Sequence, residues 1–194
     1  MAIEAITRRR SFGLVAAFST ALVFGSLPTM RAGAEGDDDA ALEKRFESLS
    51  QNGNVECSAK FEASIGTMAP GARLQGSCCA PMDRARYLEQ IKGIRKYANF
   101  SEVPTDPYDI PADLARKLMS YYQLPLNPQE QAAYDYAMAH SDIEGPCCCK
   151  CWRWEVYGGL GKQLIRERQF TGQQLVDLWN IASGCGGPIG TKMH

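Results

Sequence analysis

Gly145-Pro146-Cys147-Cys148-Cys149-Lys150-Cys151-Trp152 places four of the chain's eight cysteines within five residues. Packing alone rarely calls for that density, so metal capture or disulfide bonding is the question around which the rest of the chain is read. If the segment is extended, side chains alternate, and Cys147, Cys149 and Cys151 project on one face while Cys148 points away. If it is helical, Cys147 and Cys151 lie four apart and Cys148 and Cys151 three apart, and those thiols share a face. Cys147 and Cys151 stay together in both conformations; the third place falls to Cys148 or to Cys149. Three converging thiolates suit Cu(I), Zn(II), Hg(II) or an iron–sulfur cluster, because polarizable sulfur prefers soft and borderline ions. Adjacent cysteines bridge only through a strained ring, so disulfides here would draw on partners elsewhere in the chain.

Upstream of the cluster, Asn127-Pro128-Gln129-Glu130 combines an N-cap, a first-turn proline and a Glu three residues after the cap, which predicts a helix running to about His140. Before it, Pro111 opens a helix carrying Leu114, Leu118 and Tyr121. Pro81 opens another, with Tyr87, Ile91, Ile94 and Ala98 on one face. From Val55 to Ala80, the glycines at 53, 66, 71 and 76 and the Pro70-Gly71 turn predict irregular structure around Cys57, Cys78 and Cys79. Leu42, Phe46 and Leu49, preceded by Asp37-Asp38-Asp39, predict a short amphipathic helix.

Downstream, Val156, Leu160 and Leu164 have helical spacing, but Gly158, Gly159 and Gly161 predict a helix firm only from about Lys162. Thr171-Gly172-Gln173-Gln174 matches a capping box, and Leu175, Leu178, Trp179 and Ala182 form an apolar stripe. Gly184 is placed to end that helix in the left-handed region, with Cys185 just outside. The fold expected is all-α: five or six short helices joined by Pro- and Gly-rich loops, in a single domain over residues 35–194.

Residues 1–34 read as a signal peptide. Arg8-Arg9-Arg10 precedes an apolar run from Phe12 to Leu27, and Ala32-Gly33-Ala34 fits the small-residue cleavage pattern. Arg9-Arg10-Ser11-Phe12 resembles the twin-arginine export motif, with Gly13 where Leu is usual, so plain Sec export stays open. The apolar run is shorter than the roughly 20 residues that span a bilayer. A periplasmic or secreted mature chain, cleaved near Ala34 and without a permanent membrane span, is therefore expected. It keeps 17 basic and 21 acidic side chains, a net charge of −4 that does not favour nucleic acid or an anionic membrane.

Three readings of the chemistry follow. The first is a metal-binding protein with Cys147, Cys149 and Cys151 as the core and Cys148, Cys185, Cys78, Cys79 and Cys57 as candidate further ligands. Copper or zinc is the expected ion and an iron–sulfur cluster the alternative, in buffering, transport or resistance, with another periplasmic or membrane protein as a candidate partner. The second is a disulfide-stapled structural or interaction domain. The third is thiol exchange through Cys148 and Cys151, with Lys150 lowering a thiol pKa by charge proximity. A c-type haem would need His where Trp152 stands. No nucleophilic Ser motif, P-loop or dinucleotide fingerprint occurs, so no catalytic residue is assigned. His140 reads as a satisfied helix-end histidine, and Trp152 and Trp154 read as packing or as a shield for the cluster.

The cluster also resembles a group of exported bacterial proteins named for a Pro-Cys-Tyr-Cys-Gly-Cys motif. Pro146, Cys147, Cys149 and Cys151 match, Cys148 replaces Tyr and Lys150 replaces Gly, and Cys185-Gly186-Gly187 supplies a later cysteine before a glycine pair. The resemblance implies a secreted cysteine motif of metal or redox character, without an established enzyme activity.

Overall fold

The computed structural model describes residues 32–187, with side chains from residue 38 onward. The expected signal peptide lies outside the described residues except for Ala32-Gly33-Ala34, and so does the C-terminal His194. The all-α architecture holds. Among the described residues, seven α-helices run in the order α1 (Ala32–Gln51), α2 (Ala59–Ile65), α3 (Arg84–Ile94), α4 (Ala112–Tyr122), α5 (Pro128–His140), α6 (Trp152–Arg168) and α7 (Gly172–Ala182). Among the described residues, no helix is long and apolar enough to cross a membrane.

The segment expected to be irregular is more ordered than its glycines suggest. Ser58 caps α2, its hydroxyl accepting from the Phe61 amide at 3.1 Å. Arg73–Gln75 (β1) then pairs antiparallel with Asp109–Pro111 (β2), in the register Leu74 opposite Ile110. Both elements are too short to show a period, and each is held by burial of one or two residues: Ile65, Leu74 and Ile110 are all fully buried.

Helix α6 is the main departure from expectation. It begins at Trp152, directly after the cluster, and its glycines lie inside it. A Cβ on Gly159 would overlap the Leu118 carbonyl of α4, and one on Gly158 would come within 2.9 Å of the Tyr122 ring and the Tyr134 hydroxyl. Gly159 thus lets α6 lie against α4 at backbone distance, and Gly158 makes room for side chains of α4 and α5. Each costs about 1 kcal/mol in helix propensity relative to Ala. Burial of Trp152, Val156, Leu160 and Leu164, at roughly 1.5–3 kcal/mol per large apolar side chain, outweighs that cost.

Around α6 the core gathers Leu118 from α4, Tyr134 and Ala137 from α5, and Leu175, Leu178 and Trp179 from α7. A second, smaller core joins Leu42 and Leu49 of α1 to Tyr87 and Ile91 of α3 and to Tyr108.

The left-handed stop expected at Gly184 is not found. α7 ends at an extended Ser183, and Gln90 of α3 satisfies its last carbonyls, donating to Ile181 O at 2.7 Å and Ser183 O at 2.6 Å. The left-handed residues come later, at Gly186 and Gly187.

Candidate metal centre

Four separate segments bring the cysteines together, and each is fixed by its backbone. Cys57 follows a strap that Asn54 ties to β1. Its amide donates to Gln75 O at 2.9 Å, and its side chain exchanges hydrogen bonds with Arg73 O and the Gln75 amide. Beside it, the Gly53 and Gly76 backbones cross so closely that a Cβ on Gly76 would sit 2.7 Å from Gly53 Cα. Gly76 also has φ +89°, so glycine is required there twice over.

Cys78 and Cys79 follow in the turn after β1. That turn is joined to the Cys185 loop by Ala80 N–H to Cys185 O (3.0 Å) and Gly187 N–H to Pro81 O (2.9 Å).

The 147–151 segment hangs from the end of α5. Ser141 Oγ accepts from the Gly145 amide at 2.7 Å and donates to the Gly145 carbonyl at 3.0 Å. Trp154 covers Gly145 so tightly that a Cβ would lie 2.5 Å from its ring, and its indole N–H donates to Tyr122 Oη at 3.0 Å. Cys151 then occupies the N-cap of α6, where the positive end of the helix favours thiolate.

All eight sulfurs meet. Cys147, Cys149 and Cys151 form one group of three within 4.8 Å of one another, which places Cys149 rather than Cys148 in the third position; the backbone there is neither extended nor helical but a run of bends, closed by Cys151 N–H to Cys149 O at 2.9 Å. Cys148 turns the other way, its Sγ 3.3 Å from Cys79, in a second group completed by Cys185. Cys57, Cys79 and Cys149 form a third, at 3.4 to 3.5 Å, and Cys57, Cys78 and Cys151 a fourth. The expectation of disulfide staples is not met. Every cysteine is free, and the nearest sulfurs, Cys147 and Cys185, stand 3.1 Å apart where a disulfide measures about 2.05 Å.

These sulfurs can hold a metal ion. Thiolates around one ion at a metal–sulfur distance near 2.3 Å stand about 4 Å from each other; the sulfurs of each group lie within 4.8 Å, with the closest contacts at 3.1 to 3.7 Å, so small outward shifts would seat an ion. Sharing of protons among them sets their acidities. Hydrogen bonds from Cys147 and then Cys78 pull Cys151 down to about 2. Cys147 likewise lowers Cys149 to about 7 against the opposing effect of burial. Cys185 is held well below the usual thiol range by Cys147, Cys148 and Cys79. The donors shift the other way: Cys78 rises to about 11, chiefly through Cys151, and Cys79 and Cys147 are raised, each by Cys148 first.

Arg153 was not singled out by the sequence, and it lies beneath this cluster, fully buried. Its guanidinium donates to Pro107 O at 2.5 Å and Gly76 O at 2.6 Å, stacks on Trp152 at 4.5 Å, and keeps its Nε–H without a partner. Burial opposes its charge, but Cys78, Tyr157, Cys147 and Cys185 outweigh that and hold it cationic. A Cβ on Gly184 would collide with this guanidinium, which explains the glycine just before Cys185. The available clue was position: a charge between two tryptophans, in the first turn after the thiols.

The carbonyl that receives Arg153 is itself braced. Asp106, just before Pro107, accepts from Arg45 Nε at 2.8 Å, from Tyr87 Oη at 3.0 Å and from the Tyr108 amide at 2.8 Å. Away from the centre, His140 donates to Tyr136 O at 2.7 Å and stacks on the Tyr136 ring, and it takes no part in the cluster. Comparison of the chain with protein-family models, with curated proteins and with solved structures finds no match.

Proposed function

We propose that this is an exported protein that binds soft metal ions through its clustered cysteines, in buffering, transport or resistance outside the cytoplasm. One observation carries the reading: eight thiols from four segments converge with no sulfur pair at bonding distance. Structural staples would occupy the thiols in pairs, whereas a soft-ion site needs them free and facing one another. The ligands in every group are cysteine alone, which selects against hard cations such as magnesium and calcium. The export part of the reading is supported by the arginine-led apolar N-terminus and by the likeness at Pro146, Cys147, Cys149 and Cys151 to the exported Pro-Cys-Tyr-Cys-Gly-Cys proteins.

Elemental analysis together with thiol titration of the full chain, purified without reductant, tests it. Reduced thiols with stoichiometric metal are expected; eight oxidised sulfurs without metal would sink the proposal. The triple variant Cys147→Ser, Cys149→Ser, Cys151→Ser is expected to lose metal and retain its helical circular dichroism.

A further inference from the structure

The four groups of three are not independent. Cys57, Cys79, Cys149 and Cys151 each belong to two of them, while Cys78, Cys147, Cys148 and Cys185 each belong to one. Cys57 links the group of Cys78 and Cys151 to that of Cys79 and Cys149. Cys149 links the latter to the Cys147 group, and Cys151 closes the ring. Cys79 attaches the remaining group, of Cys148 and Cys185, to the ring. This is the connectivity of a cluster with bridging thiolates, since a thiolate sulfur has lone pairs enough to bind two metal ions at once.

Resting on the metal-binding reading above, we infer that the protein holds a polynuclear Cu(I)–thiolate cluster of up to four ions, each bound by three sulfurs, with Cys57, Cys79, Cys149 and Cys151 as the bridges. Coordination number selects the ion. Structural zinc sites are almost always tetrahedral with four ligands, and among the described residues no fourth His, Cys or carboxylate completes any of the groups within the same 4.8 Å. Three sulfurs satisfy Cu(I), which accepts trigonal coordination. In an iron–sulfur cubane, sulfide fills the centre and the cysteine sulfurs stand apart at the corners, whereas here they crowd together.

Charge agrees with several monovalent ions held at one side of the fold. Four Cu(I) and eight thiolates carry a net charge of −4. Arg153 and the α6 N-terminus face the buried sulfurs, while exposed Cys57 and Cys79 give the rest of that charge to water. Loading is ligand exchange: each sulfur still protonated gives its S–H proton to buffer, those already thiolate bind directly, Cu–S bonds form, and copper stays monovalent.

The test is anaerobic titration of the reduced full chain with Cu(I) against a chromophoric Cu(I) chelator, with the bound ions counted by native mass spectrometry. Four Cu(I) per chain are expected to bind, with the four-ion species dominating over intermediates. Saturation at one ion would overturn the cluster and leave a mononuclear metal site standing; no uptake would overturn both. Zn(II) binding at full occupancy with four-sulfur coordination, read by X-ray absorption, would overturn the assignment to Cu(I). Cys149→Ser removes a bridge and is expected to lose two ions, and Cys78→Ser removes a terminal ligand and loses one, with unchanged circular dichroism in both. Equal losses would overturn the bridging scheme.

Discussion

The cysteine cluster has two unlike sides. Cys147 and Cys185 stand 3.1 Å apart at 1% and 0% exposure, whereas Cys57 and Cys79, at a similar 3.5 Å, lie open to solvent. The buried side is built on α6 and Arg153, inside the main core. The open side is held by short backbone ties between the Asn54 strap and β1. On the metal-binding reading proposed above, the difference separates two tasks that a single soft-ion site has to combine. A buried, charge-compensated floor fixes sulfur positions, and an exposed rim lets ligand exchange proceed without unfolding.

The comparison breaks most severely at the floor. Arg153→Met removes a fully buried cation and leaves the Pro107 and Gly76 carbonyls without their donor. It should destabilise the protein by roughly 3–5 kcal/mol in urea unfolding, the range for stripping one partner from a buried charged network. Next comes Gly159→Ala, where the added methyl meets the Leu118 carbonyl. A loss of about 1–3 kcal/mol is expected, read as a lower urea midpoint, because α6 must move off α4 and carry Cys151 with it.

A paired substitution sharpens the contrast directly. Cys185→Ser buries a hydroxyl where a thiol sat and should cost the metal-free protein about 1–3 kcal/mol, while Cys57→Ser should change it by no more than about 0.5 kcal/mol. Equal costs would mean that the two sides are structurally alike.

Alkylation gives a gentler probe of the same asymmetry. Cys149 is part-exposed and titrates at about 7, so iodoacetamide should reach it before the buried Cys147 and Cys185. Its rate should fall about tenfold for each pH unit below 7, as the thiolate is protonated, and level off above that pH; peptide mass mapping reads the order.

The smallest effect serves as a control remote from both sides. Arg168 holds the Glu102 carboxyl below its usual range through a 2.8 Å ion pair. A depressed carboxyl stabilises the fold above its unfolded value and loses that contribution as pH falls through the folded one. Arg168→Gln should therefore move acid unfolding slightly toward neutral pH and leave metal uptake unchanged.

Much of this molecule was legible in the chain itself. The capping boxes at Asn127 and Thr171 and the stripes of α3, α4 and α7 are local chemistry, and local hydrogen bonds and periodicity decide them. The grouping of Cys147, Cys149 and Cys151 was anticipated from extended backbone, but the structure reaches it through consecutive bends. Other features were out of reach. The glycines of α6 read as weakness because their value lies in a neighbouring helix that the sequence does not place beside them. Gly184 read as a helix stop, but its missing side chain makes room for Arg153. Sequence determined that a dense set of thiols exists and which short segment leads it, since thiol density needs no fold to be seen. Only the tertiary structure decided that Cys57, Cys78, Cys79 and Cys185 join that segment, and that a buried arginine lies beneath them. Those contacts span up to 106 residues of chain, from Cys79 to Cys185, and it is the packing of α4 and α6, the Asn54 strap and the ties of the Cys185 loop to the turn after β1 that bring them within reach.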